Sequence, residues 1–515
     1  VISEPGVRLR LEGAVKLVDL LRGLPIREGR NVDVVENADV TDLFDDSRKV
    51  EPGGLFVAAV GKREDGHRFI EEALRRGAVA VVSERPPENG RSSGACWIEV
   101  EDSRKALLFL AQRFFHHPAD GLRLVGVTGT NGKTTTSFLG KKILEEGGRK
   151  KVGILGTVCY DVGEGPEVGS NTTPGILALQ RLFRRMRNHG VDRAVMEVSS
   201  HAMDQDRVSG CRFTTAVFTN LTQDHLDYHE TMEDYFGAKR KLFEAYLEGA
   251  AVVNVDDPYG QQLADLLKGG ARRVLTFGME RKADLSPASL RVDRRGISMR
   301  LATDAGPLDL SSRLMGRYNA YNLLAGVGIG LSEGVPPEAI AEGIEKMRAI
   351  PGRFELIEAG QDFQVVVDYA HSEDALNRLL EAAAALKPKR LLTLFGCGGD
   401  RDRGKRPRMG RVAARWSDLV VLTSDNPRTE EPREIIREIE EGVSALSRET
   451  GKTYPYEVRV DRFEAIKRIL SLARSGDLVV IAGKGHEREQ TIGNRRIPFD
   501  DRQVAGEILK SIVKR

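Results

Sequence analysis

The stretch VTGTNGKTTT, residues 127–136, restricts the fold of this chain more than any other segment. A β-branched run, LRLVGV, precedes it, and SFLGKKILEEG, of helical composition, follows. Glycines at 129 and 132 let the backbone turn its N–H groups toward a bound polyphosphate, and the start of the following helix adds its positive dipole end. Gly129, Thr130, Asn131, Gly132, Lys133, Thr134 and Thr135 would then surround the phosphates. Lys133 would reach the β- and γ-phosphates, and the Thr134 hydroxyl would be offered to Mg²⁺. The general spacing is G-x-x-x-x-G-K-[ST]; Val127 stands where the first glycine would be, so this is a shorter variant. A chance glycine-rich turn is the alternative, but strand before and helix after favour ATP binding.

A strand–loop–helix unit of this kind belongs to a parallel sheet, and the rest of the chain keeps the same rhythm. KVGILGTV, RAVMEVSS, TTAVFTN and AAVVNVDD read as strands separated by helical stretches, which predicts a doubly wound α/β sheet. A more β-rich patch around 288–311 leads to the helix NAYNLLAGVGIGL, and the Pro-Gly break in IPGRFE marks a boundary. FQVVVDYA, RLLTLFG, DLVVLTSD and DLVVIAGKG then predict a second α/β unit, with a helix over Pro432 to Val443. With 515 residues, roughly three domains are expected. They are a smaller N-terminal α/β domain over 1–118, a central P-loop ATPase-like doubly wound domain over 119–350, and a C-terminal Rossmann-like α/β domain over 351–515.

Composition excludes several classes. A net charge of +2 gives no bulk attraction for nucleic acid or an anionic membrane. Cys96, Cys159, Cys211 and Cys397 lie far apart with no CxxC pair, which argues against a zinc site or disulfide framework and suits a reducing compartment. No apolar run approaches the roughly 20 residues of a membrane span. The N-terminal VISEPGVRLRLEGAV has charges where a signal peptide needs an apolar core. A cytoplasmic protein is expected.

Beyond the glycine loop, Glu197 ends the strand in MEVSSHA, a natural position for a Mg²⁺-coordinating carboxylate. His225 falls in another strand-end loop, within NLTQDHLDYH. In the next helix Met232, Tyr235, Lys239, Leu242 and Phe243 share one stripe, with Arg240 and Lys241 pointing away. A lysine on that stripe reads, on periodicity alone, as a side chain snorkelling at its edge.

GTNGKTTT, EVSSHA and NLTQDHLDYH are joined by MGRYNAYNLLA, PGRFE, VDYAH, GCGGDRDRGKRPRMG and AGKGHE. Together these motifs, from about Asp46 to Asp501, resemble the Mur ligase family, the ATP-dependent amide-forming enzymes of peptidoglycan precursor synthesis, and most of all its third-amino-acid-adding members. The resemblance implies that ATP phosphorylates the D-glutamate side chain of UDP-N-acetylmuramoyl-L-Ala-D-Glu. An amine then attacks the acyl phosphate. It also implies that Lys133, Glu197, His225 and Lys239 form the catalytic set. Thr134 and Glu197 would serve one Mg²⁺, with His225 and a carbamylated Lys239 serving another. Carbamylation would turn an ammonium, which cannot ligate a cation, into an oxygen donor. Asn319, Asn322, Asp368 and His371 are implied on the nucleotide side. Ser47, Asn171, Thr172, Thr173, Ser199, Gln205 and Arg207 are implied for the UDP-substrate, although Thr172-Thr173-Pro174 taken alone reads better as a cap or turn. Two departures from the family pattern, Ser372-Glu373 after DYAH and Gly175 after TTP, are of kinds that suit the start of a helix.

The loop DNPR, residues 425–428, is implied to face the incoming amino acid. Members that add meso-diaminopimelate have the arginine and lysine-adding members lack it. Diaminopimelate carries a second carboxylate, which Arg428 can take as a bidentate pair. Arg401, Asp425, Asn426, Pro427, Gly483 and Glu487 would complete that pocket. A surface ion pair of Arg428 with Glu430 or Glu431 is the plainer alternative. An L-lysine-adding version of the ligase and a non-catalytic relative binding UDP-sugar or ATP remain the rival functions.

Overall fold

The computed structural model describes residues 14–32, 37–61, 64–86, 96–148, 150–225, 228–293, 295–303 and 306–513. The charged N-terminal stretch up to residue 13 lies outside them. Two compact units are formed, Val1–Val125 with Lys151–Thr214, and Gly126–Lys150 with Thr215–Arg515. Among the described residues no helix is long and apolar enough to cross a membrane, and the four cysteines are buried and unbridged.

In the first unit, five strands lie in the order Ile26–Arg30, Cys96–Val100, Ala80–Ser83, Leu55–Val57, Leu43–Phe44. The first pair is antiparallel and the others are parallel. Alternate residues face opposite ways: Leu55, Val57, Val82 and Ile98 pack with Leu107, Leu110 and Phe114 of the helix Ser103–Phe114. Phe56, Val81 and Trp97 pack with Ile70 and Ala73 on the other side. Cover on both faces explains why the inner strands Leu55–Val57 and Ala80–Ser83 are buried at every position rather than alternately, whereas the edge strand Ile26–Arg30 is exposed. Further along, Gly153–Leu155 pairs in parallel with Arg193–Glu197, and short antiparallel strands at 160–161 and 166–167 extend that edge. The connecting helix, Ile176–Asn188, starts at Gly175 with no side-chain cap.

The strand Arg123–Thr128 ends at the glycine loop, and the helix Lys133–Gly148, in the second unit, follows it. Leu247–Asn254 pairs in parallel with Arg273–Phe277. The β-rich patch is a three-stranded antiparallel meander, 287–293, 296–303 and 306–312. After residue 352 comes a six-stranded sheet ordered 355–356, 364–368, 478–482, 391–395, 419–422, 456–458. Only its first pair is antiparallel. The neighbouring strands 478–482, 391–395 and 419–422 therefore bring the loops after Ala482, Phe395 and Leu422 together at their carboxyl ends, where open α/β sheets bind ligands.

Two expectations need correction, and one element is new. The helix expected to end at Val443 runs from Pro432 to Thr450, because Val443 and Leu446 continue its buried stripe; Gly451, at φ +66°, stops it. Lys239 does not snorkel: it is 1% exposed, held on the inward face of the helix Met232–Lys241. A hairpin, Glu489–Ile492 with Arg495–Pro498, was not expected at all.

Candidate active site

The glycine loop is built by close backbone approach. Gly129, at φ +145°, has no room for a Cβ, which would lie 1.9 Å from the Thr219 hydroxyl; at Gly132, φ +87°, it would lie 2.4 Å from Asn322 Oδ1. Only glycine fits such positions. The segment after Phe218 supports the loop: Thr130 N–H donates to Asn220 O (2.8 Å), Asn131 N–H to Asn220 Oδ1 (3.0 Å) and Thr222 N–H to the Thr130 hydroxyl (3.0 Å). Lys133 Nζ donates to the carbonyls of Gly129 and Thr130, both at 2.9 Å. Thr134 and Thr135 are buried at the start of the helix, and the Thr134 hydroxyl accepts from Arg353 Nη2 at 3.2 Å. Behind the loop, Asn322 Nδ2 donates to Asn319 Oδ1 (2.8 Å), whose own Nδ2 donates to Met315 O (2.7 Å).

Lys239 reaches the same loop from the helix Met232–Lys241. Its Nζ donates to Gly129 O at 2.9 Å and lies 4.5 Å from the centre of the Tyr235 ring. Burial, together with the charge of Lys133, holds its amine well below the usual lysine range. His225 is more exposed and adopts φ +55°, with its N–H on Asp224 Oδ1 at 2.9 Å. Burial opposes charge on Asp224, yet His225, His371 and Lys133 around it keep its carboxyl below its ordinary value. Asp368 is occupied by backbone, accepting from Phe354 N–H (2.7 Å) and Ala370 N–H (2.8 Å). His371 is exposed, with its ring 4.6 Å from that of Tyr369.

In the first unit, the residues implied for the UDP-substrate fall largely into one network. Glu197 Oε1 accepts Thr157 N–H (2.9 Å) and its Oε2 accepts the Thr157 hydroxyl (3.1 Å). That hydroxyl lies 2.9 Å from Thr172 Oγ1. Thr173 donates to Glu197 O (2.9 Å) and accepts Ser199 N–H (3.0 Å), while Arg207 donates to Thr173 O (3.1 Å) and to Gln205 Oε1 (2.7 Å). Asn171 is tied by its backbone to the Tyr160 hydroxyl. Ser47 stands apart from these bonds; it is buried and donates to Glu72 Oε2 at 2.7 Å.

At the carboxyl ends of the six-stranded sheet, Asp425, Asn426, Arg428, Gly483 and Glu487 come together. Asn426 Nδ2 donates to Glu487 Oε2 at 2.9 Å. Asp425 Oδ1 accepts Asn426 N–H at 2.7 Å; its Oδ2 is buried without a hydrogen-bond partner and would lie 2.7 Å from a Cβ at Gly483. Arg428, at φ +52°, donates through Nη1 to Gly399 O at 2.6 Å. Glu430 instead takes Arg406 at 2.7 Å, and Glu431 precedes the first turn of the next helix. Burial, then the charge of Arg401, lowers the affinity of Arg428 for its proton. Two guanidinium groups so placed gain from an anion between them. Pro427 lends its carbonyl to Glu430 N–H at 3.0 Å.

Several residues here carried no distinct signal. Asp374 Oδ2 accepts Asn131 Nδ2 (2.9 Å) and the Thr222 hydroxyl (3.1 Å), though in sequence it is one more acid in a first turn. Thr157 and Asp224 are equally inconspicuous. Arg353 and Lys484, by contrast, stand inside PGRFE and AGKGHE.

Three family models match successive segments: the Mur ligase family catalytic domain over residues 41–115, the Mur ligase middle domain over 127–330 and the Mur ligase glutamate ligase domain over 352–485. The UDP-N-acetylmuramoyl-L-alanyl-D-glutamate–2,6-diaminopimelate ligase of Syntrophomonas wolfei is 42% identical over 503 residues, 97% of this chain and 100% of the relative. The chain belongs to the Mur ligase family. A second relative of this Mur ligase, with the same name and from Geobacillus kaustophilus, is 44% identical over 96% of this chain and 99% of its own. A solved structure of a UDP-N-acetylmuramoyl-L-alanyl-D-glutamate–2,6-diaminopimelate ligase aligns at a TM-score of 0.66 with 32% identity, covering 97% of this chain and 99% of that one. The glycine loop, Glu197, Lys239 and the paired asparagines of this Mur ligase lie in the middle-domain segment. All of the 396–401 and 425–428 loops lies in the glutamate ligase segment.

Proposed function

We propose that this Mur ligase joins meso-2,6-diaminopimelate to the D-glutamate side chain of UDP-N-acetylmuramoyl-L-Ala-D-Glu, with ATP converted to ADP and phosphate. The observation that carries this is the loop 425–428. A half-buried Arg428 beside Arg401 suits a carboxylate, and the unpartnered Asp425 Oδ2 suits an ammonium, so the pocket matches an amino acid with a charged far end. Lysine would leave Arg428 desolvated and unpaired, and such a site rejects the analogue that lacks the partner. Domains over 1–118, 119–350 and 351–515 are part of the same proposal, as are cytoplasmic location and a monomeric state.

The glycine loop, with its backbone N–H groups and Lys133, would hold the ATP phosphates, with Asn319 and Asn322 behind it and Asp368 and His371 on the nucleotide side. As the family resemblance implies, Thr134 and Glu197 would serve one Mg²⁺, and His225 with a carbamylated Lys239 would serve another; Mg²⁺ is a hard cation that takes oxygen ligands. Among the described residues no group of three or more His, Cys, Asp or Glu could hold a metal. The proposed donors instead include a hydroxyl and a lysine, whose amine burial and the charge of Lys133 push toward the neutral form, the form that takes up CO₂. When bound, Mg²⁺ would neutralise phosphate charge during transfer. Lys133 would position the γ-phosphate against the D-glutamate carboxylate. Thr172, Thr173, Ser199, Gln205 and Arg207, with Ser47 and Asn171, would orient the UDP-substrate.

Amide formation from the UDP-dipeptide, ATP and Mg²⁺, with meso-diaminopimelate and L-lysine offered in parallel, tests this. Turnover with diaminopimelate alone is expected. Preference for lysine would overturn the role of Arg428, and turnover with neither would overturn the ligase assignment.

A further inference from the structure

Lys484 belongs to none of the roles above, yet its side chain is fully buried at 0% exposure. Its ammonium spends its donors on three acceptors: Asn426 Oδ1 at 3.2 Å, Glu487 Oε2 at 2.8 Å and Glu489 O at 2.6 Å. Two of these residues line the proposed amino-acid pocket. The third opens the hairpin 489–498, whose Thr491 N–H also donates to Asn426 Oδ1, at 2.9 Å.

The orientation of the Asn426 amide follows from this. Lys484 Nζ and Thr491 N–H can only donate, so the atom between them must be the amide oxygen. The amide nitrogen is therefore turned the other way, where Glu487 Oε2 accepts from it at 2.9 Å. Glu487 is fixed in turn, because Lys484 and Asn426 bind the same carboxylate oxygen. The hairpin also holds Arg428, through Arg428 N–H on Thr491 O (3.1 Å) and Gly493 N–H on Arg428 O (2.7 Å). One buried cation thus sets the direction of two pocket side chains and anchors the strand that braces a third.

We propose that Lys484 is a positioning residue for amino-acid specificity: it fixes Asn426 with its N–H side, and Glu487 with its acid side, toward the zwitterionic head of the incoming amino acid. The proposal rests on the assignment of the 425–428 loop to amino-acid binding. Without the lysine, only Thr491 N–H orients the amide, and Glu487 loses its counter-charge. The pocket would then offer acceptor and donor without preference to carboxylate and ammonium.

Lys484→Met removes the donors at similar volume, and Lys484→Gln keeps a polar tip. For both, thermal melting is measured alongside kcat and KM for each of the three substrates, with diaminopimelate and L-lysine compared. For folded Lys484→Met the amino-acid KM should rise by about tenfold or more, the loss of hydrogen bonds to a buried charge. Selectivity between the two amino acids should fall, the KM values for ATP and the UDP-dipeptide should stay within about twofold of the parent, and Lys484→Gln should lie between. An unchanged amino-acid KM, or one that rises in step with that of ATP, would overturn the proposal. So would loss of the melting transition in both variants, which would assign Lys484 to the core alone. The unmodified enzyme separates the two readings. If it prefers lysine, the Arg428 assignment falls and the Lys484 variants are judged on lysine. If it binds no amino acid by calorimetry, both fall.

Discussion

Arg428 combines features that seldom coincide: positive φ on a non-glycine residue, half burial and a second guanidinium as neighbour. His225, Phe354 and Asp400 share that backbone region, which costs on the order of 1 kcal/mol or more per residue and tends to persist where function requires it. Arg428→Ala should raise the KM for diaminopimelate by about a hundredfold, as expected when a charge-assisted pair is removed from a desolvated site. Steady-state kinetics with the KM for ATP as internal control would show it. Lys239 offers a second check: isotopically labelled bicarbonate should give a carbamate signal by NMR that is absent from Lys239→Arg, and that variant should be inactive. Glu430 gives a pH prediction. Its bond to Arg406 leads the causes that bring its carboxyl from 4.5 down to about 2. Because the folded value is the lower, its stabilising contribution is complete above 4.5 and is lost as pH falls toward about 2. Acid unfolding of Glu430→Gln should therefore be less steep in that window than in the parent.

Among elements, the final helix, Asp501–Val513, is tied to the pocket by one ion pair. Arg462 and Asp501 are both 0% exposed and bonded at 2.8 and 2.6 Å, and the same guanidinium donates to Ser424 O (3.3 Å) and Ala482 O (3.0 Å). It therefore holds the ends of two strands from which the pocket loops leave. Arg462→Met would strand a buried carboxylate and should cost about 3–5 kcal/mol, read from the denaturation midpoint. Adding Asp501→Leu should recover only part, since the two carbonyls remain without their donor. Most elements were legible because their apolar period was complete, as in LVVL or LVVIA. The hairpin at 489–498 was missed although Gly493-Asn494 between Thr491-Ile492 and Arg495-Arg496 is a known two-residue turn signal. Its strands are short and largely exposed, so no apolar alternation marks them.

For the molecule as a whole, the proposed chemistry predicts coupling. ATP hydrolysis measured with the UDP-dipeptide and diaminopimelate both present should exceed by far the rate with either alone, because the acyl phosphate waits for its amine. An ATPase indifferent to both would contradict the ligase reaction. Sequence alone determined the strand–loop–helix at 123–148, the α/β alternation on both sides of the meander, and the motif residues, because those depend on local periodicity and on glycine. The family resemblance gave Lys239 a role without showing its burial, and Lys484 stood unremarked inside AGKGHE. Their state depends on burial and on partners brought from distant loops: Gly129 and Lys133 for the first, Asn426, Glu487 and Glu489 for the second. Tertiary structure decided which charges were desolvated and which acceptors stood beside them, and desolvation with its compensation is a property of three-dimensional neighbours that no linear pattern encodes.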